Sequence, residues 1–167
     1  PMGRQKKLHF FNHLIKLGFK EIEIGFPAAS DTDMDFARHI IENDLIPDDV
    51  SVQVLTQSRP ELIEKTFEAL QGSKNAIIHL YNSTSELQRR VVFAQDRDGV
   101  KKIATDGAGW IKDRISQLEA GGTNVRLEYS PESFTGTELD YALDVCHSIM
   151  DIWQPTAANP VIFNLPA

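Results

Sequence analysis

The sequence predicts an α/β fold, a partial (β/α)8 TIM barrel made of about five consecutive β/α units. Five candidate strands alternate with helical segments, which favours βαβ units and a parallel sheet. Each strand has an apolar face and an opposite face rich in polar side chains. A sheet covered by helices on both sides would have to bury these polar side chains, which is unfavourable. At about 33 residues per unit a full barrel needs roughly 270 residues. Residues 1–167 are therefore expected to be the central part of a barrel, strands two to six, without its first and last strands.

The composition is that of a globular protein. Hydrophobic residues make up 41% of the chain and charged residues 25%. The formal net charge of −7 argues against nucleic acid or an anionic membrane as the main partner. No apolar run approaches the roughly 20 residues of a membrane-spanning helix, and no secretory signal is visible. With Cys146 as the only cysteine, no intrachain disulfide can form and a cytoplasmic location is expected.

The elements of the first half follow from periodicity and turn residues. Helices are predicted over residues 5–17, from 31 to 41 and from 60 to 70, and strands over 20–26, 51–57 and 76–82. Ser30 or Asp31 can cap the second helix, and Pro60 suits the first turn of the third. Because the chain opens with Pro1 before Met2, we expect it to begin inside a longer gene product.

The second half continues the alternation after a longer interval. Helices are predicted over residues 85–93, 100–118 and 138–153, and strands over 126–132 and 161–167. Gly107 and Gly109 are expected to weaken the long helix. Leu139 is assigned to the apolar stripe of the last helix, and Arg89 and Arg90 are expected to face water.

Candidate site residues follow from the barrel prediction, because barrel active sites lie at the carboxyl ends of the strands. Those ends carry Leu55 and Gln57, His79 and Tyr81, Ser130 and Glu132, and Asn164 and Pro166. A histidine and a carboxylate in one pocket can divide acid and base duties, so His79 and Glu132 are the predicted catalytic residues. The alternative stays open that both residues are structural, with their hydrogen bonds satisfied inside the barrel.

The opposite strand ends give a different prediction. Glu21 and Arg126 lie near the amino ends of their strands, so they are expected to form a structural ion pair.

Five segments carry a family resemblance. They are EIEIGFPAAS at 21–30, VLTQSRPE at 54–61, HLYNSTSELQRRVVF at 79–93, EYSPESFTGTE at 128–138 and IFNLPA at 162–167. Together they resemble the 2-isopropylmalate synthases, in particular their longer form, over essentially the whole chain.

The resemblance implies a reaction and its partners. The family joins acetyl-CoA to 2-oxoisovalerate in a Claisen-type condensation and hydrolyses the thioester, the first committed step of leucine biosynthesis. It does so with a metal-dependent barrel, and the complete enzyme is expected to be a homodimer that uses magnesium or manganese. The family's Arg-Asp-Gly and His-x-His metal motifs would lie outside residues 1–167, so no metal ligand is assigned here.

The resemblance also assigns roles to individual residues. His79 and Tyr81 would line the oxo-acid pocket, and Leu55 would contact its branched tail. Ser130 and Glu132 would complete the polar wall, with Glu132 taking part in proton transfer.

Two alternatives stay open. A related synthase of the homocitrate or citramalate type would act on a different oxo acid. The chain alone could instead be a non-catalytic half-barrel, whose two exposed strand edges would favour self-association. In either case, the 167 residues by themselves are expected to be inactive.

Overall fold

Five parallel strands form one sheet in the computed structural model, which describes residues 2–167. The strands lie side by side in chain order, and every neighbouring pair is parallel. They are β1 (Glu21–Gly25), β2 (Ser51–Gln57), β3 (Asn75–Ser83), β4 (Asn124–Glu132) and β5 (Ile162–Phe163). This is the order of consecutive units in a barrel, so the predicted α/β class with the parallel sheet of a partial barrel is confirmed.

Helices connect successive strands. They are α1 (Arg4–Lys16), α2 (Asp31–Glu42), α3 (Pro60–Leu70), the single turn α4 (Glu86–Gln88), α5 (Arg97–Glu119) and α6 (Leu139–Trp153). A π-helical turn, Arg89–Phe93, follows α4, and 3-10 turns lie at Pro27–Ala29 and Phe134–Gly136. The predicted cap of α2 is confirmed, since the Ser30 hydroxyl accepts a hydrogen bond from the Asp33 amide.

The core lies between the helices and one face of the sheet. Val52, Val54, Ile78 and Leu127 are completely buried on this face. Full burial of such a side chain contributes about 1.5–3 kcal/mol. The opposite face carries the polar side chains, because residues alternate along each strand. One apolar face and one polar face therefore follow directly from the period-two pattern.

Two local predictions are wrong. β5 spans only Ile162–Phe163 rather than residues 161–167, since Pro160 and Pro166 on either side have no amide donor for a ladder. Leu139 is 74% exposed at the start of α6, where Tyr141 takes the buried place.

The long helix α5 runs unbroken through Gly107, which is buried. A side chain at this glycine would collide with Ser58 and Leu80, so its hydrogen allows close packing of α5 against its neighbours.

Candidate functional site

The register of the strands arranges the candidate residues in rows across the polar face. Leu55 on β2, His79 on β3 and Glu128 on β4 lie opposite one another. The next row toward the carboxyl ends holds Gln57, Tyr81 and Ser130, and the row after it pairs Ser83 with Glu132.

His79 is the centre of a hydrogen-bonded cluster. Its Nδ1 atom lies 2.8 Å from Oε2 of Glu23, and its Nε2 atom lies 2.7 Å from Oγ of Ser130. Gln53 donates to the same Glu23 oxygen at 2.9 Å, and Asn164 donates to Ser130 Oγ at 2.9 Å. The imidazole is buried and engaged at both nitrogens, so its orientation is fixed by its neighbours.

The pKa values of two carboxyl groups beside His79 are shifted in opposite directions. Burial opposes ionisation of Glu23, but hydrogen bonds from His79 and Gln53 outweigh it and lower the pKa of this carboxyl. Burial raises the pKa of Glu128, whose Oε1 atom lies 3.5 Å from His79 Nε2. The charges of Glu23 and Glu21 add to that rise, and His79 opposes it. The cluster therefore separates a carboxyl that ionises readily from one that resists ionisation.

A cavity of about 450 Å³ opens at the carboxyl ends of the strands, beside this cluster. Its polar wall includes Tyr81, Ser83 and Glu132, and its apolar wall includes Phe93 and Ile103. Ser83 Oγ donates to Glu132 Oε2 at 2.6 Å. The pKa of the Tyr81 phenol is raised, first by burial and further by the charge of Glu132, against a hydrogen bond with Gln57. Polar groups and an apolar wall meeting in one cavity are typical of a small-molecule site.

The structure brings His79 together with Ser130 but not with Glu132. Glu132 lies opposite Ser83, four residues beyond His79 along β3. At about 3.3 Å per residue this places the two backbones roughly 13 Å apart along the strands. If one ligand contacts both predicted catalytic residues, His79 and Glu132 therefore face different parts of it. Leu55 lies half-buried beside His79, and Tyr81 lies between His79 and Glu132.

The predicted structural pair is confirmed. Arg126 Nη2 lies 2.6 Å from Glu21 Oε1, near the amino ends of their strands and away from the cavity.

The prediction that Arg89 faces water is wrong. Arg89 is buried, and its guanidinium group donates to both carboxylate oxygens of Glu138, at 2.9 and 2.7 Å. It also donates to the Thr84 carbonyl at 2.6 Å and lies over the ring of Tyr141. The π-helical turn that begins at Arg89 sets this direction, and helical periodicity alone carries no signal for such a turn.

Ser83 is a polar cavity residue that the sequence reasoning missed. The strand pattern predicts an end of β3 at residue 82, but the strand extends to Ser83 and so places this hydroxyl opposite Glu132. A strand end is the least reliable feature of a periodicity pattern.

The described residues do not by themselves form a metal site. Within 2–167, no group of three or more His, Cys, Asp or Glu side chains is arranged to hold an ion. His79 has both ring nitrogens in hydrogen bonds within the cluster. In the same range no helix is long and apolar enough to cross a membrane.

Comparison with known proteins shows relatives over the whole chain. 2-Isopropylmalate synthase of Parafrankia sp. (strain EAN1pec) is 62% identical over 167 residues, which is 100% of this chain and 29% of the relative. The enzymes of Rhodospirillum rubrum and Agrobacterium fabrum are 55% and 58% identical over the same 167 residues, 30% and 29% of their lengths. The chain thus spans about three tenths of these relatives.

A family model gives the same assignment. The HMGL-like model matches residues 1–167, and enzymes of this family generally depend on a divalent metal. The resemblance read from the sequence is confirmed. The chain belongs to the HMGL-like family.

Proposed function

We propose that this chain forms the central part of the catalytic barrel of a 2-isopropylmalate synthase, strands two to six. The reaction joins the methyl carbon of acetyl-CoA to the carbonyl carbon of 2-oxoisovalerate. Loss of a methyl proton, formation of the carbon–carbon bond and hydrolysis of the thioester give 2-isopropylmalate and free CoA. This is the first committed step of leucine biosynthesis. The similarity of this chain to the synthases of three bacteria supports the proposal.

One structural observation carries the proposal. The candidate residues lie on one face of the sheet in successive rows toward a cavity of about 450 Å³. These residues are Leu55, His79, Tyr81, Ser130 and Glu132. A branched oxo acid has a carboxylate, a carbonyl and an apolar tail, and this face offers donors and an apolar side chain at neighbouring positions.

Oxo-acid binding is assigned to the rows around His79. Ser130, whose hydroxyl is held by His79 and Asn164, would complete the polar wall of the pocket. Tyr81 would line the same pocket, and Leu55 would contact the branched tail. Burying one methyl group against an apolar side chain contributes about 1 kcal/mol, which favours a branched acid over a shorter one.

Proton transfer is assigned to Glu132. Its carboxylate lies in the wall of the cavity and receives a hydrogen bond on Oε2 from Ser83, while no hydrogen bond from residues 2–167 reaches Oε1. A carboxylate oxygen that faces a cavity can accept a proton from a substrate carbon or water held there. His79 is assigned to the same proton transfer. It would act through Ser130, whose hydroxyl it holds.

The complete protein is further proposed to need magnesium or manganese, to form a homodimer and to work in the cytoplasm. The resemblance to the synthases implies that the ligands of the ion lie outside this chain.

The test is an assay of CoA thiol release by the full-length protein, with acetyl-CoA and magnesium or manganese. 2-Oxoisovalerate, pyruvate and 2-oxoglutarate are compared as acceptors, and the 167-residue chain is assayed in parallel. We expect release with 2-oxoisovalerate and the full-length protein only. Release mainly with pyruvate or 2-oxoglutarate would instead identify a citramalate or homocitrate type of synthase. Silence with all three acids would refute a condensing enzyme.

A further inference from the structure

Ser83 is the last residue of β3, and it is buried beside the cavity. Its hydroxyl donates to Oε2 of Glu132, its register partner, at 2.6 Å. Among residues 2–167 no other group donates a hydrogen bond to this carboxylate, which is otherwise exposed to the cavity. The direction of the Glu132 side chain therefore depends on one contact.

The backbone on both sides of this contact is held firmly. The Thr84 amide donates to the Glu132 carbonyl at 3.1 Å, and the hydroxyl groups of Thr84 and Thr137 are 2.9 Å apart. Directly after Glu132, Ser133 adopts a left-handed conformation with φ 57°, which turns the chain away from the strand. Such a conformation is unusual outside glycine and persists where its surroundings impose it.

A fixed backbone leaves the aim of the Glu132 carboxylate to its side-chain torsions. A glutamate loses up to about 2 kcal/mol of rotamer entropy when it is held in one direction. An O–H donor on one carboxylate oxygen offsets this cost, because the hydrogen bond holds that oxygen in one direction.

We propose that Ser83 is a positioning residue for Glu132. It holds Oε2 and leaves Oε1 directed to the cavity for proton transfer. This inference rests on the proposed function of Glu132 in oxo-acid condensation.

The test compares S83A, S83T and T84V in the full-length protein. S83A removes the donor, S83T retains a hydroxyl, and T84V removes a neighbouring buried hydroxyl that pairs with Thr137 rather than with a carboxylate. For each variant, CoA release is followed at varied concentrations of the oxo acid from about pH 6 to pH 9, which gives kcat and KM at each pH. The melting temperature of each variant is measured alongside.

We expect S83A to lower kcat roughly tenfold or more, because a hydrogen bond to a charged group is lost from the reacting carboxylate. KM for the oxo acid should change less than about twofold, as a loss confined to the chemical step requires. The kcat of S83T should stay within about threefold of the wild-type value, and T84V should lower the melting temperature without this loss of kcat.

The outcomes separate this inference from the function on which it rests. An active wild type whose S83A variant keeps its kcat refutes the Ser83 role alone. The same is true if T84V reproduces the S83A loss of kcat, since the effect would then be structural. A full-length wild type without oxo-acid-dependent thiol release refutes the proposed function, and the Ser83 role with it.

Discussion

The hydroxyl oxygen of Ser130 lies 2.7 Å from Nε2 of His79, so a residue of β4 is held by one of β3. The other ring nitrogen of the same imidazole contacts Glu23 on β1. A carboxylate can fix the tautomer and direction of an imidazole, and through it the direction of the hydroxyl on the far side. Glu23 therefore acts on the proposed oxo-acid pocket at a distance.

Replacing Glu23 by glutamine tests this chain of contacts. E23Q keeps the size of the side chain but removes the charge, so kcat/KM for the branched oxo acid should fall about 10- to 100-fold. E21Q, two residues earlier on the same strand, breaks the ion pair with Arg126 but leaves the Glu23–His79 contact in place, so it should stay within about threefold of wild type. Equal losses in the two variants would show that the effect comes from the strand rather than from the His79 contact. Steady-state kinetics of the full-length protein make the comparison.

Truncation of Leu55 should change the preference among oxo acids. L55A removes apolar contact from the position beside His79, so kcat/KM for the branched oxo acid should fall about fivefold or more relative to pyruvate. The ratio between the two acids is the control, because a general loss of active protein lowers both values together. An unchanged ratio would show that Leu55 does not contact the branched tail.

Two glycines of α5 provide a matched pair for stability. A methyl group at Gly107 would lie 2.9 Å from Ser58 Cβ and 3.1 Å from Leu80 Cδ1, whereas nothing lies within 4 Å of one at Gly109. G107A should therefore destabilise the protein by about 1–3 kcal/mol through overpacking. G109A should be neutral or stabilise it by up to about 1 kcal/mol, since alanine favours a helix. Denaturant unfolding of the full-length variants measures both, and equal effects would contradict the packing found here.

The Arg89–Glu138 pair should make stability depend on pH. Hydrogen bonds from Arg89 lower the pKa of Glu138 from 4.5 to about 2. Because the folded pKa is depressed, the stabilisation is present above the ordinary carboxyl range and is lost as pH falls from about 4.5 toward 2.

E138Q measures that contribution. The Glu138 side chain is 35% exposed, so solvent screening limits the pair to about 1–2 kcal/mol at neutral pH. The difference in unfolding free energy between wild type and E138Q should shrink as pH falls from 6 to 3. E42Q, which breaks an exposed pair with Arg38, should cost about 0.5 kcal/mol or less. A difference for E138Q that does not change with pH would contradict this electrostatic account.

Much of the fold was predictable because period-two and period-3.6 patterns report directly which side of an element is buried. Val52 and Val54 alternate with Gln53 along β2, and the structure buries those two valines as the pattern predicts. The short length of β5 was not predicted, because it depends on pairing with β4 and on the nearby prolines rather than on periodicity. Arg89 escaped because a π-helical turn reverses the expected exposure of its side chain.

The residues of the candidate site were predictable from the sequence, but their relative positions were not. The sequence places His79, Ser130 and Glu132 at strand ends, but the strand register decides which of them are neighbours. It places Ser130 beside His79, and it places Glu132 beside Ser83, a residue that the pattern did not include. Register is set by contacts between strands, so no single strand carries it.

The most direct test of the proposed function is the rate of 2-oxoisovalerate-dependent CoA release by the full-length wild type, E132Q and E61Q. Glu61 is an exposed glutamate at the same end of the sheet and serves as the matched control. Loss of a group in proton transfer typically lowers the rate about 10²- to 10⁴-fold, so E132Q should fall by that factor while E61Q keeps the wild-type rate. An E132Q enzyme as active as wild type would contradict the assignment of proton transfer to this face of the sheet.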